Sequence, residues 1–367
     1  MSHRLTPLAQ SLPATVPFVG PEAQERQRGA PFAARLGANE SVFGPSPLAI
    51  AAMEAAARDA WMYGDPEGFD LRADLAQHHG VAMANIVLGE GIDGLLGSLV
   101  RLLVAPGDAV VTSAGAYPTF NYHVTGYGGT LHTVPYSGDA EDPDALLAKA
   151  RQTGAKVIYL ANPDNPMGSH HTGATITDML DRLPTGCLLC LDEAYADLAP
   201  PSAIPPISPD DPRVIRMRTF SKAHGLAGLR VGYAIGHPDL IAAFDRVRNH
   251  FGVGRIAQAG ARAALTDRDW LSQVVNLVDE SRKAIRDIAE ANGLRPLPSA
   301  TNFVTVDCGQ DGAFARKVLA ALIDDGIFVR MPGVAPLDRC IRIGCGTDAD
   351  MARLRGALPQ ALARALS

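Results

Sequence analysis

The residues best suited to covalent chemistry lie in the stretch Arg218-Thr219-Phe220-Ser221-Lys222-Ala223-His224-Gly225-Leu226-Ala227-Gly228-Leu229-Arg230. The apolar run Val214–Met217 just before it reads as a strand, so Lys222 lies close past a strand end. In open α/β sheets, ligands bind beyond the carboxyl ends of the strands. The hydroxyls of Thr219 and Ser221, with the guanidinium of Arg230, suit a phosphate, because arginine can hold one through two parallel N–H bonds. A lysine amine attacks an aldehyde only when neutral, and cationic neighbours favour that form. Taken alone, Lys222 reads as a solvated surface lysine, the commoner fate of a single lysine; the residues around it argue for a site.

Three other segments carry polar groups at strand or helix ends. Asp192-Glu193-Ala194-Tyr195 follows the apolar run Leu188–Leu191. An acid there could bind a ribose hydroxyl, a metal or a protonated ring nitrogen, or simply cap a helix. A carboxylate on a pyridine nitrogen keeps the ring protonated, so that it absorbs the electrons left at a substrate's α-carbon. Tyr195 could then bond a phenolic ring oxygen. Asn162-Pro163-Asp164-Asn165-Pro166-Met167-Gly168 follows Val157–Leu160; turn formation alone explains its composition, and Asn165 is also a possible donor to such an oxygen. Gly89-Glu90-Gly91-Ile92-Asp93-Gly94 opens an apolar helix. Free N–H groups at Gly91, Ile92 and Asp93 would face an anion. The spacing fits neither a dinucleotide fingerprint nor a Walker loop.

These segments need a scaffold that brings strand ends together. From about Pro45 to Leu265, short apolar runs alternate with helical patterns. Strands are predicted at Ala109–Thr112, Thr130–Val134, Val157–Leu160, Leu188–Leu191, Val214–Met217 and Val231–Ile235. Helices are predicted at Ile92–Val104, Pro143–Gln152 and Ala174–Arg182. This α/β pattern implies a largely parallel sheet covered on both faces. After about Thr266 the pattern changes to a long helix (Trp270–Asn292), a strand (Asn302–Asp307), a helix (Ala313–Asp325), short strands (Ile327–Val329, Cys340–Ile343) and a last helix from Asp348. The predicted division is a large domain over 41–266 and a smaller α+β domain over 267–367, joined by the N-terminal arm, 1–40.

Composition bounds the function. The 367 residues are 47% apolar and 20% charged, with a formal net charge of −6, as in ordinary globular proteins. No basic stripe points to nucleic acid and no apolar run reaches the length of a membrane span. Met1–Val19 makes a poor signal peptide, which together with five cysteines, an odd number, suggests reduced thiols and a cytoplasmic location. Cys187 and Cys190 have a C-x-x-C spacing but sit in an apolar run, so burial is expected rather than metal or redox chemistry. No metal site is expected.

In chain order, the four segments resemble the fold-type I, class I/II aminotransferases. Arg218–Tyr233 is especially similar to the histidinol-phosphate aminotransferase branch. So are Leu36-Gly37-Ala38-Asn39-Glu40, Phe43-Gly44-Pro45-Ser46-Pro47 and Tyr63-Gly64-Asp65-Pro66-Glu67-Gly68. The resemblance implies the aspartate aminotransferase-like fold, with a mostly parallel seven-stranded sheet, and pyridoxal 5'-phosphate as cofactor. Lys222 would form the Schiff base and carry the proton between the substrate's α-carbon and the cofactor. Asp192 would pair with the ring nitrogen, and Asn165 and Tyr195 with the ring oxygen. Thr219, Ser221, Arg230 and the backbone around Gly91, Ile92 and Asp93 would hold the phosphate. Phe120 occupies the expected ring-stacking position, with Tyr117 as the alternative. Tyr63 would reach the partner's cofactor across a homodimer interface with shared active sites. Arg342 would bind a substrate α-carboxylate, Arg330 a substrate phosphate, and Asn39 and His250 would line the substrate pocket.

The implied reaction is ping-pong transfer between a small-molecule amino donor, such as histidinol phosphate, and a 2-oxo acid acceptor. Arg246–Val253 departs from the branch's Pro-Phe-Asn type sequence, and Asp164 and Met167 stand where Asn and Thr are usual. These departures leave an aromatic amino acid open as donor, and His250 open as either a pocket or a helix-end residue. A decarboxylase of the threonine-phosphate type would share every cofactor residue and be told apart by release of carbon dioxide. A transcriptional regulator on this fold would need a DNA-binding domain, for which the residues before Leu36 are too few.

Overall fold

The computed structural model describes residues 4–14 and 19–367. Seven strands form the main sheet: β2 (Ile86–Glu90), β3 (Ala109–Ser113), β4 (Thr130–Val134), β5 (Val157–Ala161), β6 (Leu188–Asp192), β7 (Val214–Thr219) and β8 (Val231–Gly236). Their order is β2-β8-β7-β6-β5-β3-β4. Pairs among β3 to β7 are parallel, whereas β8 runs antiparallel to both β7 and β2. The start of β8 therefore lies at the same sheet edge as the carboxyl ends of its neighbours.

Strand periodicity sets the two faces. Along β5 and β6, Val157, Tyr159, Leu188 and Cys190 pack into one core with the helix Gly91–Leu103. Ile158, Leu160, Leu189 and Leu191 pack into another with the helices Pro143–Thr153 and Gly173–Asp181. Side chains alternate between faces at a period of two, so a strand buried on both sides reads as a continuous apolar run. All five cysteines are free and buried.

A third core gathers the C-terminal part of the chain. It surrounds β10 (Phe303–Asp307), which pairs antiparallel with β9 (Arg295–Pro296) and β12 (Cys340–Gly344). The N-terminal segment joins this part through β1 (Ala34–Arg35), parallel to β11 (Ile327–Phe328). Long helices at Arg268–Ala291, Gly312–Asp324 and Asp348–Leu366 cover it. The last begins with a capping box between Thr347 and Asp350, which satisfies N–H groups the first helical turn leaves free.

Several elements go beyond the sequence-based expectation. The edge strand β2 was not expected, because its apolar run is only Ile86-Val87-Leu88 before Gly89; pairing with β8 supplies what propensity does not. The helix Arg255–Thr266 was not expected either. It has no side-chain cap and packs against the helix Pro47–Ala57.

The end of β6 divides two adjacent acids between opposite sides. Asp192 faces the site described below. Glu193, also buried, accepts from Arg216 Nη2 and from Arg218 Nε, both at 2.8 Å. The two arginines hold its carboxyl below the usual range against the penalty of burial. Removing one partner of a buried ion pair leaves uncompensated charge and costs about 3–5 kcal/mol. Glu193→Ala is therefore expected to lower the urea unfolding midpoint by the equivalent of that amount. An unchanged midpoint would contradict the structural role given to this carboxylate.

Candidate active site

A cavity of about 230 Å³ opens where β5, β6 and β7 end and the helix Gly91–Leu103 begins. Lys222, Asp192, Asn165, Tyr195, Thr219, Ser221, Arg230, Ile92 and Asp93 line it. Gly91 starts the adjoining helix, so its N-terminal N–H groups face the same space.

Lys222 follows β7 on a tight loop. Gly225 makes that loop possible: its φ is +68°, and a Cβ there would lie 2.4 Å from the Gly44 carbonyl oxygen. Lys222 Nζ donates to the Asn39 carbonyl at 3.2 Å and lies 5.6 Å from the centre of the Tyr195 ring. Burial pushes this amine down to about 8, and Arg342 and Arg230 act in the same direction, while Asp93 and Asp192 oppose it. At that value about one amine in ten is neutral at pH 7, against roughly one in a few thousand for a free lysine.

Asp192 accepts from the Tyr159 hydroxyl at 2.6 Å and from the Ala194 N–H at 2.9 Å. Burial nevertheless pushes it up to about 6. A buried carboxylate so placed is a fit for a cationic N–H, whose charge would bring it back down. Tyr159 itself was not anticipated. A tyrosine within the otherwise aliphatic Val157–Ala161 run is the available signal, since a buried phenol needs a partner.

The anion clamp is assembled around an unusual backbone. Arg230 has φ +54°, a conformation that is costly for a bulky residue and is held only by its surroundings. Its guanidinium lies within 3.4 Å of Ser221 Oγ, the Glu90 carbonyl and Asp93 Oδ2. Thr219 Oγ1 donates to Ser221 Oγ at 2.8 Å. Gly91 is required here: its φ is +70°, and a Cβ would sit 2.4 Å from Arg230 Nη2. Two hydroxyls, a guanidinium and a helix N-terminus thus converge, a donor set suited to a phosphate.

On the other side of the cavity, Asn39 Nδ2 donates to the Tyr195 hydroxyl at 2.9 Å. Arg342, on β12, donates from Nη1 to Asn165 Oδ1 and from Nη2 to the Gly37 carbonyl. Its Nε and the Oδ1 of Asn39 are buried without a hydrogen-bond partner among the described residues. Arg330 pairs with Arg342 through the backbone in both directions and donates from Nη2 to the Val19 carbonyl at 2.6 Å. Burial pushes both guanidinium groups down, Arg342 to about 10.

Two expected site residues, Phe120 and His250, lie elsewhere. Phe120 is fully buried and stacks on Tyr159 at 4.7 Å, within the core beneath the site. Tyr117 lines the cavity instead, and its hydroxyl donates to Asp93 at 2.8 Å. The reason is position: Tyr117 is the non-helical residue before the helix Pro118–Gly126, whereas Phe120 lies inside the helix and packs into the core it shares with Tyr159. His250 lines a separate cavity of about 330 Å³ with Asp65, Arg72 and Arg248, and its Nε2 meets the Asp245 carbonyl at 3.1 Å. Tyr63 is 78% exposed and packs against Phe251 at 4.7 Å, outside the cavity of its own chain. Among the described residues, no group of three or more His, Cys, Asp or Glu has the arrangement of a metal site.

Residues 34–358 match the family described as aminotransferase class I and II. The chain belongs to this family. It is 35% identical over 344 residues to histidinol-phosphate aminotransferase 1 of Mesorhizobium japonicum, covering 92% of each chain. It is 34% identical to the histidinol-phosphate aminotransferase of an Anaeromyxobacter species, over 97% of this chain and 98% of that one. Among solved structures, the histidinol-phosphate aminotransferase from Sinorhizobium meliloti, in complex with pyridoxal-5'-phosphate, superimposes with a TM-score of 0.96 at 55% identity. That match covers 99% of this chain and 98% of the other. The aminotransferase fold is thus the α/β architecture with a seven-stranded, mostly parallel sheet.

Proposed function

We propose that this aminotransferase binds pyridoxal phosphate at Lys222 and moves an amino group between histidinol phosphate and a 2-oxo acid. One observation carries the reading: Lys222, Asp192 and the Thr219–Ser221–Arg230 clamp share a cavity, with Arg342 and Arg330 paired beside it. The likeness to the Sinorhizobium meliloti enzyme supports both cofactor and substrate.

When bound, the cofactor supplies an aldehyde that accepts the amino group and a ring that takes up the electron pair left at the substrate's α-carbon. The rest falls to the protein. Lys222 Nζ takes the α-proton and returns it on the cofactor side. Asp192 would hold a proton on the ring nitrogen, and Asn165 and Tyr195 would bond the ring oxygen. Thr219, Ser221, Arg230 and the N–H groups near Gly91 would fix the phosphate, and Tyr117, which lines the same cavity, would pack on the ring. Arg342 takes the α-carboxylate of the oxo acid, and Arg330 takes the phosphate of histidinol phosphate. Asn39 holds the Tyr195 hydroxyl and, through its carbonyl, Lys222.

The amine must be neutral to condense with the cofactor's aldehyde. The rate at which cofactor-free protein takes up pyridoxal phosphate is therefore expected to rise with pH through about 8. Stopped-flow absorbance reads this rate; a half-point near 10 would contradict the lowered value.

We further infer two domains, 41–266 and 267–367 with the arm 1–40, and a homodimer in the cytoplasm. Supporting the dimer, Tyr63 and Phe251 pack together yet both remain exposed; a dimer would bring Tyr63 to the partner's cofactor phosphate. Light scattering should then give twice 38.6 kDa. Among the described residues, no helix is long and apolar enough to cross a membrane.

The substrate is tested by half-reactions. Cofactor-loaded protein is mixed with histidinol phosphate or with each aromatic amino acid, and conversion to the pyridoxamine form is followed by absorbance. Fast conversion by histidinol phosphate is expected. No response to it, with a fast response to an aromatic amino acid, would reject the substrate.

A further inference from the structure

Behind the cavity lies a pair of buried acids that the chemistry above does not use. Glu141 follows β4 and Asp164 follows β5; they are 2% and 1% exposed. Glu141 accepts from the Ser113 hydroxyl at 2.6 Å and the Ala161 N–H at 3.0 Å. Asp164 accepts from the Tyr136 hydroxyl at 2.9 Å and the Met167 N–H at 3.1 Å. All four donors are neutral. Two neighbouring carboxylates buried among neutral donors do not both stay ionised at neutral pH. Burial pushes both upward, and the charge of Asp164 raises Glu141 further.

Asp164 is also next in sequence to Asn165, the residue that accepts from Arg342. Arg342 is the cation whose charge acts on Asp164, and Asp164 acts on Arg342 in return. Other titratable groups facing the pair are Tyr136 from the loop after β4, Tyr159 from β5, Asp192 and Tyr195 from the end of β6, and His171, whose ring meets the Glu141 carbonyl. Asparagine, the usual residue of the resembling family at this position, has the same shape as Asp164 without the charge.

We propose that Asp164, held beside Glu141, is a positioning residue that sets the charge available at Arg342. Ionised, it neutralises the guanidinium from behind and repels an incoming carboxylate; protonated, it leaves Arg342 free for the substrate. It touches neither substrate nor cofactor. Carboxylate binding in the titration range thus draws one proton from solvent onto the pair, with no bond to carbon made or broken. This rests on Arg342 as the carboxylate site.

The test uses cofactor-loaded protein and glutarate, a dicarboxylate without an amino group, with calorimetric Kd values at pH 6, 7 and 8. Native affinity is expected to fall about tenfold from pH 6 to 8, within the usual range of coupling between sites. Asp164→Asn should lose this part of the slope and bind about tenfold more tightly than native protein at pH 8. Glu141→Gln should keep the slope near its native pH, because Glu141 is already neutral where Asp164 ionises. A native slope in Asp164→Asn, or loss of the slope in Glu141→Gln, would overturn the proposal. Glutarate binding that survives Arg342→Ala unchanged, or no binding to native protein, would instead overturn the carboxylate role of Arg342.

Discussion

Lys222→Ala is expected to slow the half-reaction with amino donor by about 10⁴-fold, because in the proposed function it removes both the attachment point and the group that moves the proton. The protein should nevertheless still hold pyridoxal phosphate. Thr219, Ser221 and Arg230 remain, and their mutual bonds do not involve the lysine. The structure therefore separates two properties that a general loss of fold would remove together. The variant should keep cofactor absorbance after gel filtration and lose turnover. A rate within a hundredfold of native would mean that another base moves the proton.

Asp192→Asn is expected to lower the same rate by about 10³-fold, the scale on which removing one preorganised electrostatic group acts. The amide keeps nearly the carboxylate's shape, so the contacts to Tyr159 and Ala194 can largely persist. What would disappear is the negative charge that the proposed binding mode sets opposite the ring nitrogen. Without it the ring loses its proton and takes up electrons poorly. The visible spectrum should change while unfolding stability stays close to native. If the rate falls by less than about tenfold, the ring nitrogen is held by something else.

Much of this site was legible because strand ends are legible. Apolar runs ending in Asp192, in Thr219 and before Asn165 place polar groups at one sheet edge, whatever the details of packing. Other features depend on information that no single segment holds. The run Ile86–Leu88 is too short to announce a strand, and only β8 makes it one. Tyr117 and Phe120 are both aromatic, and the point where a short helix begins decides which faces the cavity. Glu141 and Asp164 read as ordinary loop acids in sequence. Their burial follows from Ser113, Tyr136 and Ala161, brought together from three places along the chain. His250 stands in a segment that departs from the resembling branch, and the structure puts it at a different cavity.

The central claim is that one particular lysine carries the cofactor, and the chain's composition makes this unusually easy to check. It has five lysines: Lys149, Lys156, Lys222, Lys283 and Lys317. Borohydride reduction of the pyridoxal phosphate-loaded protein, followed by peptide mass mapping, fixes the cofactor permanently to whichever amine bears it. The expected result is a single phosphopyridoxyl group on Lys222. A label on any of the other four, or none after loading, would contradict the account.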